Sequence, residues 1–282
     1  MAASEALAIE PIGAGDVASG LALSDAAGWN QTAADWAFFI AEGNAIGVRD
    51  DAGRLVASAA ALPYDGAVGW IAMVLVDADH RHRGWASRLV AACVETLTRS
   101  GRAPLLDATP AGAEVYRRSG FVAGFAFERW EGGAATIAAI ETESGIAAGP
   151  SKSDTLIDLD RSACGVDRAL LLRSFLARAA TRAWFAPRGD GFALRRAGRR
   201  AVQVGPIVAT DDAAAVELLA LALAGIDGRV FIDVPVHRTS ITEALTRRGF
   251  VRQRPFVRMA LGDPHAAAAR ERVFALAGPE FG

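Results

Sequence analysis

Short apolar runs alternate along the chain with segments in which apolar residues recur at every third or fourth position. The first pattern predicts buried strands and the second amphipathic helices. In the first half the predicted order is strand, two helices, three strands, helix, strand, helix, strand. The predicted strands are residues 7–12, 45–49, 55–62, 70–76, 105–109 and a strand that begins at Phe121, and the predicted helices are 16–27, 32–42, 87–97 and 113–119.

A basic turn, Arg81 to Ala86, joins the strand 70–76 to the helix that follows it. The first N–H groups of a helix have no partner within the helix and lie at the positive end of its dipole, so they attract anions, phosphates in particular. Gly84 and Ala86 are small enough to let a ligand approach the main chain. The turn therefore predicts a phosphate-binding loop.

The second half repeats the first in degenerate form. A strand at 202–209, a helix at 212–224 and a strand at 230–235 follow the same order, but the basic turn is missing and Asp211-Asp212 stands at the helix start. Leu245 occupies the position before Gly249-Phe250 that Tyr116 occupies before Gly120-Phe121. We therefore expect the second copy to bind no phosphate ligand.

Residues 143–154 are small and polar, with Gly, Pro and Ser, a composition typical of a linker. They predict a first domain over residues 1–142 and a second over residues 155–282.

Composition narrows the class of protein. A chain of 282 residues that is 52% hydrophobic is globular and long enough for two domains. Its formal net charge of −2 disfavours nucleic-acid binding, and it shows neither a signal peptide nor an apolar run long enough to cross a membrane. The two cysteines imply no disulfide framework, and the four histidines lack metal-ligand spacing. We expect a cytoplasmic monomer or homodimer without a metal, nucleic-acid or membrane partner.

Two motifs resemble those of the GNAT superfamily, the acyl-CoA-dependent N-acetyltransferases. Arg81-x-x-Gly84-x-Ala86 is similar to the family's pyrophosphate loop, and Tyr116-x-x-x-Gly120-Phe121 to a second family signature. The whole layout resembles tandem GNAT proteins with a YitH-type C-terminal domain. That resemblance rests on residues 160–162, 167–168, 205–209, 232–235 and 256–259. It implies an α+β fold of two tandem GNAT-like domains, each a mixed, mostly antiparallel sheet flanked by helices.

The resemblance also implies roles for individual residues. Acetyl-CoA would be the cosubstrate, and Tyr116 would give a proton to the departing thiolate, since a phenol with an ordinary pKa of about 10 is protonated at neutral pH. The implied acetyl-CoA contacts are Val74, Leu75, Val76, Arg81, His82, Arg83, Gly84, Trp85, Ala86 and Ser87.

The sequence says less about which residues contact the acceptor. Contacts to an amine, from a small molecule or a protein, are expected from the first two helices and their connection, with Tyr64 opposite. The candidates are Trp29, Asn30, Asp35, Trp36 and Tyr64. The strand 69–76 carries no carboxylate, so the sequence identifies no general base. Two functions remain open: an N-acetyltransferase, or a non-catalytic acyl-CoA-binding sensor or scaffold.

Overall fold

The computed structural model describes residues 7–133, 150–263 and 270–282. The first half contains β1 (Ile9–Pro11), α1 (Val17–Ala26), α2 (Ala33–Glu42), β2 (Asn44–Arg49), β3 (Leu55–Leu62), β4 (Val68–Val76), α3 (Trp85–Arg99), β5 (Ala103–Ala108), α4 (Pro110–Arg118) and β6 (Phe121–Gly132). This is the order that the hydrophobic pattern predicts. Thr32 caps α2 as expected, because its side chain accepts a hydrogen bond from the N–H of Asp35.

The second half contains α5 (Pro150–Cys164), α6 (Ala169–Leu176), β7 (Arg182–Phe185), β8 (Phe192–Arg196), β9 (Val202–Val208), α7 (Asp212–Leu223), β10 (Val230–Pro235), α8 (Thr239–Arg247), β11 (Val251–Leu261) and β12 (Val273–Ala275). Most of the predicted linker, residues 143–149, lies outside the described residues. Its last residues, from Pro150, already belong to α5. The exact domain boundaries stay a prediction.

The described strands form one sheet of twelve, ordered β1-β2-β3-β4-β5-β11-β6-β10-β9-β8-β7, with β12 beside β9. Within it only β4–β5 and β9–β10 pair in parallel, so the predicted mixed and mostly antiparallel architecture is confirmed. The two halves join because their last strands change places. The second half's β11 pairs with β5, the first half's β6 pairs with β10, and β6 and β11 pair with each other.

Two buried ion pairs lie across these exchanged strands. Arg258 on β11 binds both carboxylate oxygens of Asp107 on β5, at 2.9 and 2.9 Å. Arg129 on β6 binds both oxygens of Asp233 on β10, at 2.9 and 2.8 Å. Both aspartate side chains are fully buried. A buried carboxylate is unstable without a cation, so each pair favours the exchanged arrangement over two separate sheets.

The centre of the exchange is apolar. Phe127 of β6 and Phe256 of β11 are register partners, and their rings stack with centroids 5.0 Å apart. Each phenylalanine precedes its ion-pairing arginine by two residues, so it shares that arginine's face of the sheet. The two exchanged strands thus contribute equivalent residues to the centre of the sheet, a phenylalanine and an arginine two positions further along.

Replacing Arg258 by Met should lower the free energy of unfolding by about 3–5 kcal/mol, because Asp107 would remain buried without its cation. Chemical denaturation of both proteins measures the difference. Arg117→Met is the matched control, since the Arg117–Glu114 pair is exposed and should contribute less than about 1 kcal/mol. Equal, small losses in the two variants would contradict the role given to the buried pair.

Candidate active site

A cleft opens where β4 and β5 separate. The two strands pair only from Val68–Trp70 to Ala103–Leu105, and beyond this point they diverge. A β-bulge at Met73, with φ of 54°, bends β4 at the same place, and the Met73 carbonyl oxygen accepts a hydrogen bond of 2.8 Å from Ser58. The resulting cleft has a volume of about 250 Å³ and is lined by residues 71–74 of β4 and 106–108 of β5.

The predicted phosphate loop lies at one end of this cleft. Gly84 has φ of 80° and caps α3 in the left-handed region, and the space around its Cβ position is open. Beside the loop lies a cavity of about 520 Å³, which shares Trp29, Val74 and Ala86 with the cleft. The two spaces are therefore adjacent, and we call the second one the loop cavity.

The structure brings the predicted cosubstrate contacts together. All of them except Arg83 line the loop cavity. The side chains of Arg81 and Arg83 are at the surface and donate to the carbonyl oxygens of Val76 (3.2 Å) and Asp79 (2.9 Å). Trp85 is buried beneath the Arg88 guanidinium, 4.3 Å from the ring centre. The loop is thus anchored while the start of α3 stays accessible.

Tyr116 lines the cleft from α4. Its ring packs against Phe121, and its hydroxyl makes no hydrogen bond within the described residues. Burial raises the pKa of Tyr116 to about 12, with a smaller contribution from Cys93. The phenol is therefore neutral, and able to donate a proton, throughout the physiological pH range.

Asp107 also lines the cleft, but both of its oxygens are bound by Arg258. Burial raises the pKa of this carboxyl, and the Arg258 cation opposes that effect. Because both of its oxygens accept hydrogen bonds from Arg258 on the neighbouring strand, Asp107 stabilises the pairing of β5 with β11.

The equivalent gap in the second half is filled by the chain itself. There β9 and β10 pair only from Val202–Val204 to Val230–Ile232, and then they separate. Strand β12 lies against β9 in the opening, and the N–H of Leu276 donates to the Asp233 carbonyl oxygen at 2.8 Å. A side chain at Gly205 would collide with the Leu276 carbonyl oxygen. The tail, residues 270–282, thus occupies the slot that is open in the first half.

The same tail brings a carboxylate to the first half's cleft. Three contacts hold its end: the Phe281 ring stacks on Phe39 at 5.2 Å, Tyr64 donates to the Phe281 carbonyl oxygen at 2.7 Å, and Trp70 donates to the Pro279 carbonyl oxygen at 3.1 Å. Glu280, only 8% exposed, lines the cleft between them.

Glu280 is the general-base candidate that sequence reasoning missed. Burial raises its pKa, and the Arg196 and Arg129 cations partly oppose this effect. The nearest cation is Arg196, with its Nη2 atom 3.8 Å away. No local motif surrounds Glu280, and only the tertiary path of the tail places it near Tyr116.

Of the five predicted acceptor residues, the structure brings only Trp29 to the cleft. Tyr64 is buried beside a separate cavity of about 50 Å³. The other three make structural contacts instead. Asn30 binds the backbone of residues 200–201, Asp35 pairs with Arg178 at 2.6 Å, and the fully buried Trp36 donates to Ser24 at 3.0 Å. These polar and aromatic residues hold α2 and the two halves together.

Residues 7–133, 150–263 and 270–282 contain no group of three or more His, Cys, Asp or Glu side chains that could hold a metal ion. None of the helices in these ranges is both long and apolar enough to cross a bilayer.

Comparisons with known proteins agree with this geometry. Family models described as an acetyltransferase (GNAT) domain match residues 34–123 and residues 156–275. The uncharacterized N-acetyltransferase YitH of Bacillus subtilis (strain 168) is 25% identical over 236 residues, which are 82% of this chain and 83% of that protein.

Solved structures share the fold. A putative acetyltransferase from Pyrococcus horikoshii aligns with a TM-score of 0.82 at 18% identity, over 99% of this chain and 96% of that one. A tandem GNAT protein from the clavulanic acid biosynthesis pathway aligns with a TM-score of 0.63 at 15% identity, over 90% of this chain and 98% of that one. At these identities the likeness concerns the fold alone.

Proposed function

Because this chain is a tandem GNAT protein, we propose that its first half transfers an acetyl group from acetyl-CoA to a primary amine. The observation that carries the proposal is the cleft between β4 and β5. It adjoins the loop cavity at the start of α3 and has a neutral phenol, Tyr116, and a buried carboxylate, Glu280, on its wall. Acyl transfer from CoA requires four features: an anion site, a slot for an extended chain, an acid and a base.

Acetyl-CoA would bind along the open edge of β4. Its pyrophosphate would accept hydrogen bonds from the N–H groups of residues 82–87, at the positive end of the α3 dipole. Its pantetheine chain would lie in the cleft and pair with main-chain groups of residues 74–76, which are past the last pair that β4 makes with β5. An N–H group near Val76 would polarise the thioester carbonyl.

In the transfer step the amine nitrogen attacks the thioester carbon, so that a C–N bond forms and the C–S bond breaks. Glu280 takes the proton that the amine loses, and Tyr116 gives a proton to the CoA thiolate. The environments suit these roles. Burial raises the pKa of Glu280 and makes it a stronger base, while the raised pKa of Tyr116 keeps the phenol protonated.

One acetyl-CoA should bind per chain, because the tail fills the second half's slot. Calorimetric titration with acetyl-CoA should therefore give a single site. Gly84→Glu should weaken that binding by about tenfold or more, because it places a carboxylate where the phosphates bind. Gly101→Glu is the control, since Gly101 has a similar φ of 76° and open surroundings at the far end of α3. Two equivalent sites, or equal affinities in the two variants, would contradict the assignment.

Tyr116→Phe should lower kcat by roughly 10²-fold, because it removes the proton donor and keeps the ring that packs against Phe121. The acetyl-CoA dissociation constant should change little. Release of CoA thiol, followed with a panel of primary amines, measures turnover. A kcat within a few-fold of the wild type would remove Tyr116 from the mechanism.

Glu280→Gln should lower kcat by about 10²-fold or more and abolish the decline of kcat at low pH, because at saturating amine that decline reflects protonation of the base in the complex. Glu271→Gln is the control, since Glu271 is an exposed carboxylate of the same tail. If the pH profile keeps its acid limb in Glu280→Gln, another group is the base. A wild type that binds acetyl-CoA but releases no thiol with any amine would favour the sensor or scaffold function.

A further inference from the structure

Arg254 is an unpaired cation on the wall of the cleft. It lies on β11, is half-buried, and lines the same space as Tyr116 and Glu280. Within the described part of the chain its guanidinium has neither a salt bridge nor a hydrogen bond. Its one close aromatic neighbour is the Phe256 ring, 5.9 Å away.

A β-bulge directs Arg254 into the cleft. Arg252 is opposite Trp130 and Arg254 is opposite Arg129, so one extra residue, Gln253, is inserted into β11 between them. Residues two apart on a regular strand share a face, but the inserted residue puts these two arginines on opposite faces. Arg252 accordingly stacks over Trp130 and pairs with Glu128 at 3.1 Å, on the face away from the cleft.

The other charged side chains around the cleft have partners of opposite charge, whereas Arg254 has none among the described residues. Arg129 is neutralised by Asp233 and Arg258 by Asp107, while Glu280 lies near Arg196. Burial and the neighbouring Arg129 cation lower the pKa of Arg254, which means that its positive charge is unfavourable without a partner. A bound anion would remove this cost and gain charge-assisted hydrogen bonds.

We propose that Arg254 binds an anionic group of the acceptor, so that the substrate is a small amine carrying a carboxylate or a phosphate. This inference rests on the proposed acetyl transfer and specifies its acceptor. The amine is directed to Glu280 and the anionic group lies against Arg254, and both residues line the same cleft. The planar guanidinium matches either anion with two parallel hydrogen bonds.

The test compares amines in matched pairs, with and without the anion: β-alanine against propylamine, and 2-aminoethyl phosphate against ethanolamine. The wild type should prefer the anionic member of at least one pair by about tenfold or more in kcat/KM. The pair with the larger preference distinguishes a carboxylate from a phosphate. Arg254→Gln should abolish that preference by raising KM for the anionic amine, and should leave the neutral amine unchanged.

Arg252→Gln is the matched control, since it makes the same substitution on the same strand outside the cleft, and it should keep the preference. Thermal unfolding and acetyl-CoA affinity of both variants verify that fold and donor site are intact. Equal kcat/KM for anionic and neutral amines in the wild type would overturn the inference and leave the proposed acetyl transfer standing. An equal loss of kcat/KM for both amines in Arg254→Gln would also overturn the inference and leave the proposed acetyl transfer standing. If no amine releases thiol from bound acetyl-CoA, the proposed function fails, and this inference fails with it.

Discussion

Two buried arginine–aspartate pairs determine how this chain is assembled. Asp107 and Asp233 are buried carboxylates, one in each half, and each pairs with an arginine on a strand of the other half. Removing either cation would leave a charge in a low-dielectric interior, which costs several kcal/mol. The pairs thus favour the exchange of β6 and β11, and the exchange fuses two sheets into one.

The exchange also builds the cleft from both halves. The strand β4 and the loop before α3, which are proposed to hold acetyl-CoA, come from the first half alone. The opposite wall includes Arg254 and Phe256, which β11 brings from the second half. An isolated first half would therefore keep the loop and Tyr116 but lose Arg254, Phe256 and Glu280 from the wall of the cleft.

The tail, residues 270–282, contacts both halves of the chain. In the second half it pairs with β9 and fills the slot between β9 and β10. It then continues to the first half, where Phe281 is buried against Phe39 and Glu280 reaches the cleft. One segment thus closes one site and supplies a carboxylate to the other. Residues of the second half thus line the cleft for which the chemistry is proposed.

The sequence by itself determined the elements and the part of the site that is continuous in the chain. Three features depend on neighbours only a few residues apart: the periods of the strands and helices, the Thr32 cap, and the strand–turn–helix around Gly84. The structure contains all three. The placement of Tyr116 on a short helix ending before Gly120 follows from the same local rules.

Only the tertiary structure decided which strands exchange, that Asn30, Asp35 and Trp36 hold the fold together, and that Glu280 and Arg254 reach the cleft. Apart from the Trp36–Ser24 hydrogen bond, which spans twelve positions, these features depend on pairings between residues more than a hundred positions apart. Local periodicity carries no information about such register, because a strand's alternating pattern is satisfied by any partner of matching polarity. The partner is selected by burial and charge in the assembled sheet.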